Sequence, residues 1–365
     1  MTVIDDDLRP LNGVRVIDLS LLIPGPWATS MLAELGADVL HVEPPGGDPL
    51  QAMMPGAYRI VGRGKKAVRL DLKSDGGRRR LLDLLEESDV LVEGFRPGTL
   101  QRLGFSLDQM MASFPRLIVC SLNGYGSDGA YRDRPGHDLN YLAASGLLSV
   151  SGEPSGRPYP GGGVPLADLA GSLFATQGIL AALLLRQQTG AGSRLVVPLA
   201  AAALKLSEPR MAEYDERGGP AKAELMSRGA YDVFRCRDGS WLAVACMEDR
   251  FWRGLCQVLG REDWLEREEY SSYGGRCRHA ERLNGDLADE FARADRDEWV
   301  DRCVAADLPV NAVLDFTEIS DDVHMRRWLD RVPNGGARSV RLPYTLLPAR
   351  PTPTTHDSGR SRWPT

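Results

Sequence analysis

Several side chains in this sequence have the chemistry of a reacting or binding group, and each also has an ordinary structural reading. His137 stands in G-H-D-L-N-Y (136–141) and is one of only five histidines in 365 residues. An imidazole titrates near neutral pH and exchanges protons readily, although a lone histidine serves equally well as a hydrogen-bonded structural residue. Asp168, in P-L-A-D-L-A-G-S, is a carboxylate ahead of an apolar helical run, where it could act as a base, as a nucleophile or merely as a helix cap. Glu248 follows a β-rich stretch in A-C-M-E-D and could simply start the next helix. The run G-R-G-K-K (62–66) puts Arg63, Lys65 and Lys66 close together, with Lys73 and Arg96 as further candidates. Guanidinium forks and ammonium groups suit phosphate oxygens, and the plain alternative is a solvated charged loop.

Composition narrows the class. The net charge of −6 argues against a nucleic-acid backbone as partner. Six cysteines without a C-x-x-C pair read as reduced thiols, with no zinc site or disulfide framework. The N-terminus M-T-V-I-D-D-D lacks the apolar region of a secretory signal, and no apolar run reaches spanning length uninterrupted. A cytoplasmic protein without a membrane partner is the expectation.

Positioning these groups requires a scaffold. Strands over 14–19, 38–42, 90–94 and 116–122 alternate with helical patterns over 27–36 and 75–87, and A-V-R-L-D-L (67–72) reads as a further strand after the cationic loop. That alternation predicts an α/β fold with a Rossmann-like parallel sheet covered on both faces. The first turn, I-P-G-P-W-A, lacks the G-x-G-x-x-G glycines, so a nicotinamide or flavin dinucleotide is not expected. A Gly/Pro-rich loop covers 147–163, an apolar helix 170–186 and a second helix 199–206. Y-D-V-F-R-C-R-D-G-S-W-L-A-V-A-C (231–246) reads as a hairpin turning at D-G, with helices over 249–306. The expected organisation is a large α/β domain over 1–205, a linker over 206–228 and a small α+β domain over 229–329. Residues 330–365 return to the large domain, and the Pro/Thr-rich tail is expected to be extended.

Several of these stretches carry a resemblance. The segments 11–48 (L-N-G-V-R-V-I-D-L-S to P-P-G-G-D), 62–73, S-D-V-L-V-E-G-F-R-P-G (88–98), 123–146, 167–184 (A-D-L-A-G-S to G-I-L-A-A-L-L) and 231–248 resemble, in order, the family III CoA-transferase and α-methylacyl-CoA racemase superfamily. The Gly-His-Asp-x-Asn-Tyr step is similar to the racemase branch. What the resemblance implies is an interlocked homodimer that acts on acyl-CoA thioesters. His137 and Asp168 would be the acid/base pair that moves an α-proton across an enolate, inverting 2-methylacyl-CoA substrates, with Glu248 hydrogen-bonded to the His137 ring. CoA would rest on Arg63, Lys65, Lys66, Lys73 and Arg96, with Tyr141 beside it. The only cofactor implied is the CoA of the substrate, and no metal. Transferase branches instead use the residue matching Asp168 to carry the acyl group as a mixed anhydride, and a non-catalytic CoA-thioester binder is a third reading.

Overall fold

The structure is a computed structural model, and it describes residues 9–154, 156–161, 163–331, 338–344 and 346. The expected extended tail and the N-terminal octet therefore lie outside the described residues. The chain runs β1 (Arg15–Asp18), α1 (Pro24–Glu34), β2 (Asp38–Glu43), α2 (Leu50–Met53), α3 (Pro55–Val61), β3 (Lys65–Arg69), α4 (Asp75–Glu86), β4 (Val90–Glu93), α5 (Thr99–Arg102), α6 (Leu107–Ser113) and β5 (Ile118–Asn123). It continues through α7 (Asp138–Ala144), α8 (Leu166–Thr189), β6 (Arg194–Pro198), α9 (Leu199–Glu216), α10 (Lys222–Met226), β7 (Tyr231–Arg235) and β8 (Trp241–Ala245). Helices α11 (Asp249–Leu259), α12 (Tyr273–Arg278), α13 (Ala280–Phe291) and α14 (Arg296–Ala305) follow, then β9 (Val310–Ala312), α15 (Glu318–Asp321), β10 (Leu329–Arg331) and β11 (Arg338–Val340).

Two compact units divide this chain. The first comprises residues 1–134, 168–199 and 328–365, and the second 135–167 and 200–327. In the first, a six-stranded sheet runs β3-β2-β1-β4-β5-β6. All five pairings are parallel, with Ile17 opposite Leu40 on one side and Leu91 on the other. Successive residues of a strand face opposite sides. Val16, Val90, Val92 and Ile118 accordingly pack with Leu32 of α1 and Ile179 of α8, whereas Ile17, Leu91 and Val119 pack with Leu81 and Leu85 of α4. Burial on both faces is why the strands read as continuous apolar runs, and the Rossmann-like expectation holds.

The second unit contains the antiparallel sheet β7-β8-β9. Phe234, Leu242, Val244 and Val310 turn one face of it onto Trp252, Leu283, Phe291 and Trp299. The expected D-G turn is present: Gly239 has φ +82° and the Ser240 N–H donates to Asp238.

Four expectations change. The segment expected as a linker is helical over much of its length, because α9 continues through Pro209 to Glu216 and α10 follows. Residues 135–167 group with the second unit, so the first is interrupted where continuity was expected. Helix α8 starts at Leu166, four residues early, and is long and apolar enough by length and composition to cross a membrane. It nonetheless packs Ala175, Ile179, Ala182 and Leu183 into the core of the first unit. Lys65 and Lys66 belong to β3 itself, because Val39 and Leu40 pair with them in register. The Leu342 N–H donates to Glu34, and Arg63 donates to Ser339 of β11.

Candidate active site

In a doubly wound sheet, ligands bind outside the carboxyl ends of the strands, where the strand order reverses. Here that point lies between β1 and β4. Asp18, the last residue of β1, is fully buried and accepts hydrogen bonds from Ser20, from Thr29 at 2.5 Å and from Lys65 at 3.1 Å. Burial alone would raise this carboxyl, but Lys65, His41 and the two hydroxyls outweigh it and hold it below the ordinary carboxylate value. The loop after β1 is strained: Leu22 has φ +66°, and its N–H is held by Asp48 at 3.0 Å. Gly25 is required there, since a Cβ would sit 1.9 Å from Ser20 Oγ. At the end of β4, buried Glu93 accepts the Phe95 N–H at 2.8 Å.

The side chain of Ser172 ties Asp168 to this edge. Asp168 is the third residue of α8 and half-buried. The Ser172 hydroxyl donates to the Asp168 carbonyl at 2.8 Å and to the Pro24 carbonyl at 2.5 Å, tying the first turn of α8 to the start of α1 beside the switch point. Gly171 lets α8 approach closely, because a Cβ there would meet Leu199 Cδ2 at 2.2 Å. The A-D-L-A-G-S stretch is therefore a carboxylate followed by its own docking surface. A first-turn carboxylate is stabilised by the helix N-terminus.

His137 lies in the second unit. It is exposed, in extended conformation at the N-cap of α7. Its neighbours in G-H-D-L-N-Y support it: the His137 N–H donates to Asn140 Oδ1 at 3.0 Å, and the Tyr141 hydroxyl donates to the Gly136 carbonyl at 2.6 Å. Asp138 Oδ1 accepts the N–H of Ala167 at 2.7 Å, one residue before Asp168. Glu248 is exposed at the N-cap of α11. Among the described residues no hydrogen bond joins it to His137.

The expected phosphate cluster separates. Lys65 is buried in the pair with Asp18, and also donates to the Pro26 carbonyl and to Thr29. Lys66 pairs with Asp38 at 2.9 Å, and Arg63 with Glu34 at 2.7 Å. These three are held by protein carboxylates, and the Lys65 ammonium is shut away from any ligand. Lys73 and Arg96 are exposed, just past the carboxyl ends of β3 and β4, and neither makes an ion pair among the described residues. Tyr141, expected beside CoA, is buried with its hydroxyl engaged as above. Sequence reasoning missed Asp18 and Asp48. An aspartate inside the apolar run V-I-D-L was the available signal, since a buried charge needs a partner.

A family model described as CoA-transferase family III matches residues 11–365. The chain belongs to that family. It is 34% identical over 335 residues to the succinyl-CoA–L-malate CoA-transferase beta subunit of Chloroflexus aurantiacus, covering 87% of this chain and 82% of that one. It is 32% identical to the acetyl-CoA:oxalate CoA-transferase of Acetobacter aceti, covering 86% and 82%. Among solved structures, it matches Rv3272 from Mycobacterium tuberculosis with a TM-score of 0.82 at 28% identity, over 93% of this chain and 94% of that one. Membership in family III bears out the superfamily resemblance, and an acyl-CoA substrate is consistent with it. It gives no specific support to the racemase branch over the transferases.

Proposed function

We propose that this protein is a CoA-transferase in which Asp168 takes up the donor acyl group as a mixed anhydride and then hands the CoA on to a carboxylate acceptor. This reverses the order suggested by the Gly-His-Asp-Leu-Asn-Tyr step, and what supports it is the transferase activity named for relatives similar over more than four-fifths of the chain. The observation that carries it is the placement of Asp168, in the first turn of α8 and fastened through Ser172 to the β1 end of the switch point.

The chemistry follows from a nucleophilic carboxylate. Attack of Asp168 on the thioester carbonyl breaks the C–S bond, expels CoA thiolate and leaves a mixed anhydride. Attack of the thiolate on the Asp168 carbonyl then releases the donor acid and leaves an aspartyl-CoA thioester. The acceptor carboxylate repeats both steps in reverse, giving the new acyl-CoA and free Asp168. N–H groups of the first turn of α8 would stabilise each oxyanion. Of the cations singled out in the sequence, Lys73 and Arg96 are exposed without an ion pair among the described residues, and they would meet the CoA phosphates. A second copy of the chain completes the assembly by covering apolar side chains that one copy exposes, including Leu173, Leu184 and Leu185 on α8 and Leu204, Leu206 and Met211 on α9.

The test is CoA exchange from succinyl-CoA or acetyl-CoA to malate or oxalate, with hydroxylamine trapping of Asp168. Transfer that is lost in Asp168→Ala, together with a trapped adduct, is the expected result. The racemase reading keeps one specific observation, the display of His137 on a dedicated N-cap. If the protein exchanges the α-proton of a 2-methylacyl-CoA in deuterated water, loses that exchange in His137→Ala and never forms the adduct, the transferase reading is overturned.

A further inference from the structure

Arg276 is among the largest side chains buried without any exposed surface, and none of the chemistry above uses it. It projects from α12, and its guanidinium spans three partners. Nη1 donates to the Tyr270 carbonyl at 3.1 Å, and Nη2 donates to the Met247 carbonyl at 2.6 Å and to Asp249 Oδ1 at 2.8 Å. The two Nη2 acceptors belong to the residues on either side of Glu248. The guanidinium also lies 5.5 Å from the ring centre of Trp252 in α11, the helix that Glu248 caps. A second contact restrains the same turn, as the Tyr273 hydroxyl meets Met247 Sδ at 3.7 Å. Behind Arg276 the packing leaves no slack: a Cβ at Gly229 would come within 2.5 Å of its carbonyl oxygen.

Burying a guanidinium is expensive, and a buried ion pair often stabilises no better than apolar residues of the same volume. What this arrangement does supply is geometry. The planar fork fixes the main chain before and after one exposed carboxylate while leaving that carboxylate untouched. The burial asymmetry fits such a role: the Arg276 side chain is 0% exposed, whereas that of its ionic partner Asp249 is 63% exposed.

We infer that Arg276 is a positioning residue that acts through Glu248, holding the Met247–Asp249 turn so that the Glu248 carboxylate is presented in one fixed direction. The inference rests on Glu248 belonging to the site of the acyl-CoA reaction, and it gives that residue a supporting element which the resemblance does not supply.

The experiment is a double-mutant cycle on the full-length enzyme, reading kcat and KM for CoA transfer, α-proton exchange of the acyl-CoA, and amide hydrogen exchange over residues 247–252. Asp249→Asn removes the ionic arm of the clamp at an exposed position, so folding survives even if Arg276→Lys does not fold. Asp249→Asn and Arg276→Lys should each speed amide exchange in the turn. Each should also lower kcat roughly ten- to hundredfold with KM for the acyl-CoA unchanged, as misplacement of a reacting group does. Glu248→Gln should lower kcat similarly, and adding Asp249→Asn to it should cost no more than twofold, the mark of two residues acting as one. Independent, multiplying losses overturn the inference. So does turn exchange that stays slow in both clamp variants, and so does a Glu248→Gln enzyme with full activity in both assays. If Asp168→Ala still abolishes transfer in those cases, the proposed function stands without the inference. If Asp168→Ala retains transfer while the Glu248 coupling holds in α-proton exchange, the inference survives and the transferase reading fails.

Discussion

Lys65 Nζ lies 3.1 Å from Asp18 Oδ2, and the two side chains are 1% and 0% exposed, so a residue chosen by its sequence as a phosphate ligand is an internal counter-ion. Removing one partner strands the other charge inside the sheet. Lys65→Ala should therefore cost about 3–5 kcal/mol, while Lys66→Ala, which breaks an exposed pair with Asp38, should cost under about 1 kcal/mol. Urea denaturation of the two variants checks this. Equal losses would mean that Lys65 is not the counter-ion of Asp18.

Binding of CoA should depend on Lys73 and Arg96. Replacing both by Ala should weaken CoA binding and flatten its salt dependence, because exposed cations act through screened attraction. Lys66→Ala should leave affinity unchanged. Calorimetric titration at two salt concentrations separates the sites, and a loss confined to the Lys66 variant would move the phosphates to β3.

Stability should respond to pH through Glu93. Burial raises its carboxyl above the ordinary value, against hydrogen bonds from Ser121 and the Phe95 N–H that lower it. The folded protein thus binds this proton more tightly than the unfolded chain. The group's contribution is fully present below the ordinary carboxylate value of 4.5, and is lost as the pH rises through the raised folded value. Glu93→Gln, which keeps an acceptor for the Phe95 N–H, should raise Tm by a few degrees at pH 8 and leave it unchanged near pH 4. A variant that is less stable at pH 8 would show that the ionised carboxylate is favoured where it sits.

Gly25→Ala should not fold stably, because its Cβ would collide with Ser20 Oγ and Cβ at 1.9 and 2.3 Å. Adding Ser20→Gly removes both atoms and should restore much of the loss, although the hydroxyl bond to Asp18 goes with them. Circular dichroism melts of the single and double variants measure the rescue.

A particle near twice the monomer mass is expected from light scattering at micromolar concentration. Charged substitutions at Leu184 and Leu185, which are 60% and 48% exposed in one copy, should dissociate it. A wild-type particle of monomer mass would remove the need for a covering partner.

The parallel sheet was legible because strands buried on both faces leave an apolar signature that local composition records, and the D-G hairpin because two residues specify it. The domain limits were not. Residues 135–167 join the second unit through contacts distant in sequence, such as Lys222 Nζ to the Ser151 carbonyl at 2.6 Å, and no local pattern reports those. Lys65 and Lys66 read alike in the sequence, yet adjacent strand residues point oppositely, and only coordinates show Lys65 turned inward onto Asp18 while Lys66 stays exposed. In G-H-D-L-N-Y the reactive candidate was visible by type. That Asn140 and Tyr141 are spent on holding the backbone around it required coordinates.

The chain passes from one unit to the other four times, after residues 134, 167, 199 and 327. Neither unit can therefore be expressed from one uninterrupted reading frame. A fragment ending at Leu199 includes all six strands of the sheet, but it lacks the returning Ser339 and Leu342 that engage Arg63 and Glu34, and it carries residues 135–167 as a passenger from the other unit. A chimaera that exchanges one unit between relatives must be spliced at every one of those four crossings, and one of them falls on the peptide bond just before Asp168.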